Sequence, residues 1–180
     1  MLNYTKFRFC PRCGNQSLSI LEQNGMACSR CDLKYFHNAA AAVACILVSP
    51  EGIVLVERTI EPSKGLLDLP GGFVNYNESL EDALRRELLE ELNIEISTFR
   101  YLISIPNEYR YCDITYFTTD SIFLVEWDET FTPEPNDEIA SIQFVKIEDV
   151  DMNKLAFSST RKAFTWIIEN HVIRDRKSVV

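Results

Sequence analysis

The chain of 180 residues is poor in several features that would each have fixed its class. It has no apolar run of the ~20 residues that a membrane helix needs; its longest, Ala39 to Val48, stops far short. Glycine and proline are scarce, at 6 and 7 residues, and no tract is repetitive or of low complexity, which excludes collagen-like and linker-like chains. Met1 to Phe9 carries no apolar leader region, so the protein is expected in the cytoplasm with no membrane partner. Positive charge is in deficit: 18 Lys and Arg against 27 Asp and Glu give a net charge of -9. Such a surface repels nucleic acid, but it suits an anionic substrate where divalent cations mediate the contact. What is present is ordinary. With 46% hydrophobic and 11% aromatic residues the chain can bury a real core, as one domain with a small appendage.

Cysteine supplies the first positive signal. Of the 6 cysteines, four form two CxxC pairs, Cys10-Pro-Arg-Cys13 and Cys28-Ser-Arg-Cys31. In a reducing compartment these are expected as thiols rather than disulfides. Two such pairs, each on a tight turn, can close a tetrahedron of sulfurs around structural Zn²⁺. A redox CxxC would need only one pair on a strand-to-helix turn, and no such context is present. Residues 1–37 are therefore expected to be a zinc ribbon, with all four metal positions filled by thiolate. His37 then reads as a linker residue, not a ligand. The ribbon carries Lys6, Arg8, Arg12, Arg30 and Lys34 against Glu22 and Asp32. That mild excess, without a dense basic stripe, favours a stapled mini-domain over a nucleic-acid module.

From Ala39 the pattern changes. Ala39 to Val48 reads as a buried strand, Ser49-Pro50-Glu51-Gly52 as a turn and Ile53 to Glu57 as a second strand. Further strand-like runs are Arg100–Ile105, Ile114–Thr118, Ile122–Trp127 and Ile142–Ile147, with hairpin-like spacing between Thr118 and Ile122. A helix is expected over Ser79–Leu92 and another over about Ser158–Ile173, which places His171 on a terminal helix. The fold class is α+β: a mixed β-sheet covered by helices, over residues 38–180, preceded by the ribbon. Tyr109, Tyr111 and Trp127 are candidates for stacking on a nucleobase, with ordinary core packing as the alternative.

The central helix carries the chemistry. On a 100° wheel Leu80, Leu84, Leu88 and Leu92 form one apolar stripe, and Glu87, Glu90 and Glu91 share a face beside it. Three carboxylates beside an apolar seam repel one another unless cations neutralise them, and Mg²⁺ prefers such oxygen sets together with substrate phosphates. Arg86 can orient one glutamate through a bidentate pair. A solvated acidic helix is the alternative, weakened by the glycine loop and Glu78 just upstream.

Gly72, five residues, Glu78, seven residues, then Arg86-Glu87-Leu88-Leu89-Glu90-Glu91-Leu92-Asn93-Ile94 resembles the Nudix box, G-x5-E-x7-R-E-U-x-E-E-x-G-U. Asn93 replaces the pattern's last glycine, at a position expected to be a left-handed helix cap that Asn tolerates. The resemblance implies a Nudix-type sheet sandwiched between helices, which hydrolyses a nucleoside diphosphate linked to another group by water attack. It implies Mg²⁺ or Mn²⁺ held by Glu87 and Glu91, with Glu90 bridging and the Gly71 carbonyl as a further ligand. The general base stays open between the helix glutamates and a downstream acid; Glu138 is the candidate downstream ligand, or an exposed turn acid. A zinc ribbon ahead of such a domain resembles the FAD, ADP-ribose and NADH pyrophosphatase subgroup. Ile60–Gly65 and Leu155–Ser159 are most similar to its FAD/ADP-ribose branch, and the S-Q-P-W-P-F-P tag of NADH enzymes is missing. The implied substrate is FAD or ADP-ribose, with AMP released. NADH, a nucleoside triphosphate, or a non-catalytic nucleotide-sensing role are the alternatives, and a second copy of the chain is the candidate macromolecular partner.

Overall fold

The computed structural model describes residues 7–21, 25–127 and 139–173. Three short strands open the chain, β1 (Leu18–Ile20), β2 (Gly25–Cys28) and β3 (Lys34–Phe36), paired antiparallel in that order. The main sheet contains β4 (Ala40–Ser49), β5 (Gly52–Arg58), β6 (Leu67–Asp68), β7 (Gly71–Phe73), β8 (Arg100–Tyr111), β9 (Ile114–Glu126) and β10 (Ile139–Val145). Its order is β10-β5-β4-β9-β8, with β6 on β5 and β7 on β4. The β4–β9 pair is parallel, from Ala40 opposite Thr118 to Val48 opposite Glu126, and every other pair is antiparallel, so the sheet is mixed as expected. Two helices, α1 (Leu80–Leu92) and α2 (Ser158–Glu169), cover its two faces.

Burial on both faces explains why β4 is a continuous apolar run and not an alternating one. Val43, Cys45 and Leu47 pack with Ala83, Leu84, Leu88 and Leu92 of α1, while Ile46 packs with Ala163, Phe164 and Ile167 of α2. The first alanines of the run are exposed, and full burial begins at Val43. Leu84, Leu88 and Leu92 are almost fully buried, and truncating any one to alanine costs about 2–5 kcal/mol.

α1 is bounded by its own sequence. Ser79 accepts a hydrogen bond from the Asp82 N–H at 3.1 Å and donates to the Asp82 carboxylate at 2.7 Å. Asn93 stands at φ 56°, its N–H bonded to the Leu88 and Leu89 carbonyls, so it caps the helix in the left-handed region as the sequence suggests.

Three sequence expectations shift. The expected break between Thr118 and Ile122 is absent, because β9 runs straight through both residues and pairs with β8 along its length. The chain reverses instead at Cys112-Asp113, both left-handed at φ 46° and 62°, which is the geometry of a tight hairpin whose twist matches its strands. Pro106 does not end β8, since this edge strand pairs on one side only. α2 ends at Glu169, short of Ile173, with His171 left-handed just beyond it. Among the described residues no helix is long and apolar enough to cross a membrane.

Candidate functional site

The acidic helix meets the glycine loop through one arginine. Arg86 grips Glu78 with two hydrogen bonds, 2.7 Å from Nε and 2.9 Å from Nη2. Its Nη1 reaches Glu87 at 2.7 Å and Glu90 at 3.0 Å, and Nη2 also donates to the Phe73 carbonyl at 3.0 Å. One planar cation thus ties three carboxylates to the loop, which only a guanidinium fork can do. Glu78 also accepts from the Asn75 N–H at 2.8 Å, and with Arg86 beside it the carboxyl is held down to about 2. The Arg86 guanidinium is pushed the opposite way, further toward its charged form, first of all by Glu78.

Glycine shapes the rest. A β-carbon on Gly72 would lie 2.5 Å from Glu87 Oε1, so the missing side chain is the space that Glu87 occupies. Gly71, at φ 142°, passes so close to β4 that a β-carbon would strike the Val43 carbonyl. Its N–H donates to Glu91 Oε2 at 2.8 Å, which fixes this carboxylate at the edge of the apolar stripe. Glu78, Arg86, Glu87 and Glu90 are therefore drawn into one cluster, and Glu91 is fastened to the adjoining loop. Among the described residues the three helix glutamates do not bring their oxygens together as closely as the four cysteines bring their sulfurs. Glu138 lies outside the described residues.

A cleft of ≈ 360 Å³ opens beside this cluster, with Gly71 and Gly72 in its wall. Tyr109 and Tyr111 line it, as two of the sequence-derived stacking candidates, whereas Trp127 packs against the core on the α1 face. Tyr109 stacks on Tyr116 at 5.5 Å between ring centroids and meets Phe157 at 5.8 Å. Sequence reasoning missed the polar lining. Asp68 accepts from Thr160 Oγ1 at 2.6 Å and the Leu69 N–H at 2.9 Å, and lies 3.8 Å from Arg58. Burial raises its carboxyl to about 6. The available signal was an acid set inside the apolar run Leu66-Leu67-Asp68-Leu69.

The cysteines form a separate site. Cys10 and Cys31 sulfurs are 3.6 Å apart, Cys13 and Cys28 sulfurs 3.7 Å. Tetrahedral Zn–S bonds of ~2.3 Å require sulfur separations of about 3.8 Å, so the four thiols fit zinc. Two matching knuckles bring them there. Cys10 accepts from the Gly14 N–H and donates to the Asn15 carbonyl; Cys28 accepts from the Asp32 N–H and donates to the Leu33 carbonyl. Gly14 and Asp32 are both left-handed, at φ 66° and 56°. Ser17 Oγ, 3.0 Å from the Cys28 sulfur, lowers that thiol to about 6 and favours the thiolate that binds metal.

Comparison with known proteins agrees with this arrangement. The family profile of the NUDIX domain matches residues 38–167. A curated relative named NAD-capped RNA hydrolase NudC, from Klebsiella pneumoniae (strain 342), is 29% identical over 117 residues, 65% of this chain and 45% of the relative. The chain thus spans less than half the length of that relative. A NUDIX hydrolase structure from Nitrosomonas europaea shares the fold at a TM-score of 0.63 and 23% identity, with 92% of each chain covered. The NUDIX domain of Shewanella oneidensis NrtR, solved with ADP ribose, does so at a TM-score of 0.62 and 21% identity, covering 76% of this chain and 90% of that one. With the box geometry, the sheet order and the profile match in agreement, the chain belongs to the NUDIX domain family.

Proposed function

We propose that the protein is a divalent-metal-dependent pyrophosphohydrolase that cleaves a nucleoside diphosphate linked to another moiety, of the ADP-ribose or FAD type, and releases AMP. In this reading residues 1–37 form the zinc ribbon and 38–180 the hydrolase domain, working in the cytoplasm, where its thiols stay reduced. The observation that carries it is the packing of the Glu87 carboxylate into the space left by Gly72, a residue of the wall of a cleft of ≈ 360 Å³. That cradle and the hard oxygen donors of Glu87, Glu90 and Glu91 suit Mg²⁺ or Mn²⁺, with the Gly71 carbonyl as a further donor. Such an ion supplies charge neutralisation and an activated water. The chain's own residues do the positioning. Arg86 sets the directions of Glu87 and Glu90, the Gly71 N–H orients Glu91, and one of these carboxylates is placed to accept the proton of the attacking water.

Support also comes from the relatives. The structure of a bifunctional NMN adenylyltransferase/ADP ribose pyrophosphatase from Francisella tularensis, complexed with AMP and a Mn ion, shares the fold at a TM-score of 0.56 and 23% identity, over 75% of this chain and 42% of that one. The NudC relatives favour a second reading, a nicotinamide-containing dinucleotide. A screen of ADP-ribose, FAD, NADH and nucleoside triphosphates with Mg²⁺, reading AMP against pyrophosphate, decides between them. AMP from ADP-ribose or FAD is the expected result. Pyrophosphate from triphosphates alone, or no turnover at all, would overturn the proposal.

A further inference from the structure

One face of the main sheet changes character along its length. Under α2 it is apolar: Ile46, Leu55, Ile122 and Leu124 are all buried there with Phe164. Two residues before Ile122 on β9 the same face presents Asp120, and two before that Thr118. Their β8 partners are Ile105 and Asn107. Thr118 and Asn107 are only 4% and 7% exposed. A sheet face that continues a hydrophobic core gains nothing from an acid, an amide and a hydroxyl, each of which costs desolvation unless a polar partner arrives. The neighbour of Asp120 on β4 is Ala42, whose small side chain leaves the cleft open at that point.

The groups here mostly accept hydrogen bonds. Thr118 Oγ1 donates to Asp120 Oδ1 at 2.6 Å, and Ser158 Oγ donates to Asn107 Oδ1 at 3.1 Å. Arg58, the one basic residue among the described residues that line the cleft, is held by cleft groups other than Asp120, among them Asp68 at 3.8 Å. Its Nε donates to the Pro62 carbonyl at 3.0 Å, and its guanidinium lies 4.8 Å above the Phe157 ring. Tyr109 and Phe157 give the cleft aromatic walls that suit a flat ring.

We propose that the cleft receives the nucleobase of the substrate and that Asp120 selects a ring carrying an amino donor at its edge over one carrying a carbonyl there. The proposal rests on the reading of the protein as a nucleotide pyrophosphohydrolase, which supplies the phosphate-bearing half at the adjoining Gly71-Gly72 loop. Adenine and hypoxanthine differ along that edge, a 6-amino donor beside an N1 acceptor against a 6-carbonyl beside an N1–H, so with Asp120 at the 6-substituent they form the matched pair. A carboxylate facing the hypoxanthine carbonyl is left unpaired against a second acceptor, the kind of mismatch that discriminates most strongly.

The test has two arms. Titration calorimetry with AMP and IMP, in Mg²⁺, reads the preference without any turnover. Steady-state kinetics with ADP-ribose and its hypoxanthine analogue read it in kcat/KM. The expected preference for adenine is on the order of 10²-fold. Asp120→Asn keeps the acceptor for Thr118 and adds an amide donor, so it should bring the two ligands within about tenfold of each other, by weakening AMP and improving IMP. Discrimination between AMP and IMP without hydrolysis of either substrate would uphold the base site and sink the pyrophosphohydrolase reading alone. Equal affinity of the wild type for AMP and IMP would overturn this proposal whatever the turnover. So would a ratio that Asp120→Asn leaves unchanged.

Discussion

The cysteine cluster and the proposed glutamate site on α1 are built on opposite plans. In the ribbon, backbone hydrogen bonds of two similar knuckles carry four sulfurs to tetrahedral spacing, and the set is complete in itself. On α1, side chains do the work: Glu87 and Glu90 lean on Arg86, Glu91 hangs from the Gly71 N–H, and the oxygens stay further apart. A closed set of soft ligands serves structure, whereas a loose set of hard ligands leaves room for phosphate and water. In the proposed reading the contrast assigns architecture to the four cysteines and chemistry to the helix.

Breaking the closed set should have the largest effect. Structural zinc contributes about 10–16 kcal/mol of apparent binding free energy in small domains, so Cys28→Ser should release the metal and strip amide-exchange protection from β2 and β3. Protection in α1 and β4 should survive; its loss would mean the two regions fold as one unit. Next comes Glu91→Gln, which removes a charge and almost no volume. Turnover should fall at least ~10²-fold with an unchanged circular-dichroism spectrum, and wild-type rates at saturating Mg²⁺ would remove Glu91 from the ligand set. Gly72→Ala tests the cradle rather than the ligand. Its new β-carbon would lie 2.5 Å from Glu87 Oε1, so the carboxylate must move, and Mn²⁺ affinity should fall by about 10–100-fold.

The smallest effect is the pH dependence of the Glu78–Arg86 pair. Glu78 titrates near 2 when folded, against 4.5 for a free glutamate, so the folded state holds its proton more weakly. Its contribution is therefore complete above pH 4.5 and is lost as pH falls through 2. The difference in urea midpoint between wild type and Glu78→Gln should be present at pH 6, narrowed at pH 3 and lost only as pH falls below 2.

Local signals explain what was legible in the sequence. The stripe of Leu84, Leu88 and Leu92, the Ser79 cap and the left-handed Asn93 each act within a few residues, and the structure places them as read. The paired CxxC turns were equally local. The β8–β9 hairpin was misread because Cys112-Asp113 lacks the Asn-Gly or Asp-Gly signature of its turn, while Thr118–Ser121 is polar and imitates a loop. Two residues of that polar stretch, Thr118 and Asp120, line the cleft. The partner residue Asn107 and the walls Phe157 and Arg58 come from distant parts of the chain, so only folding shows that they face one another.

Asn93 stops α1 immediately after Glu90 and Glu91, with no basic residue in the last turn. The peptide dipoles add about half a negative charge to that end. In the proposed reading, a divalent ion bound at these carboxylates offsets that concentration of negative charge in the folded chain. By mass action, thermal stability should then climb with the logarithm of Mg²⁺ concentration once the site begins to fill. The melting temperature becomes a gauge of occupancy, readable with no substrate present, and in Glu91→Gln the slope should flatten.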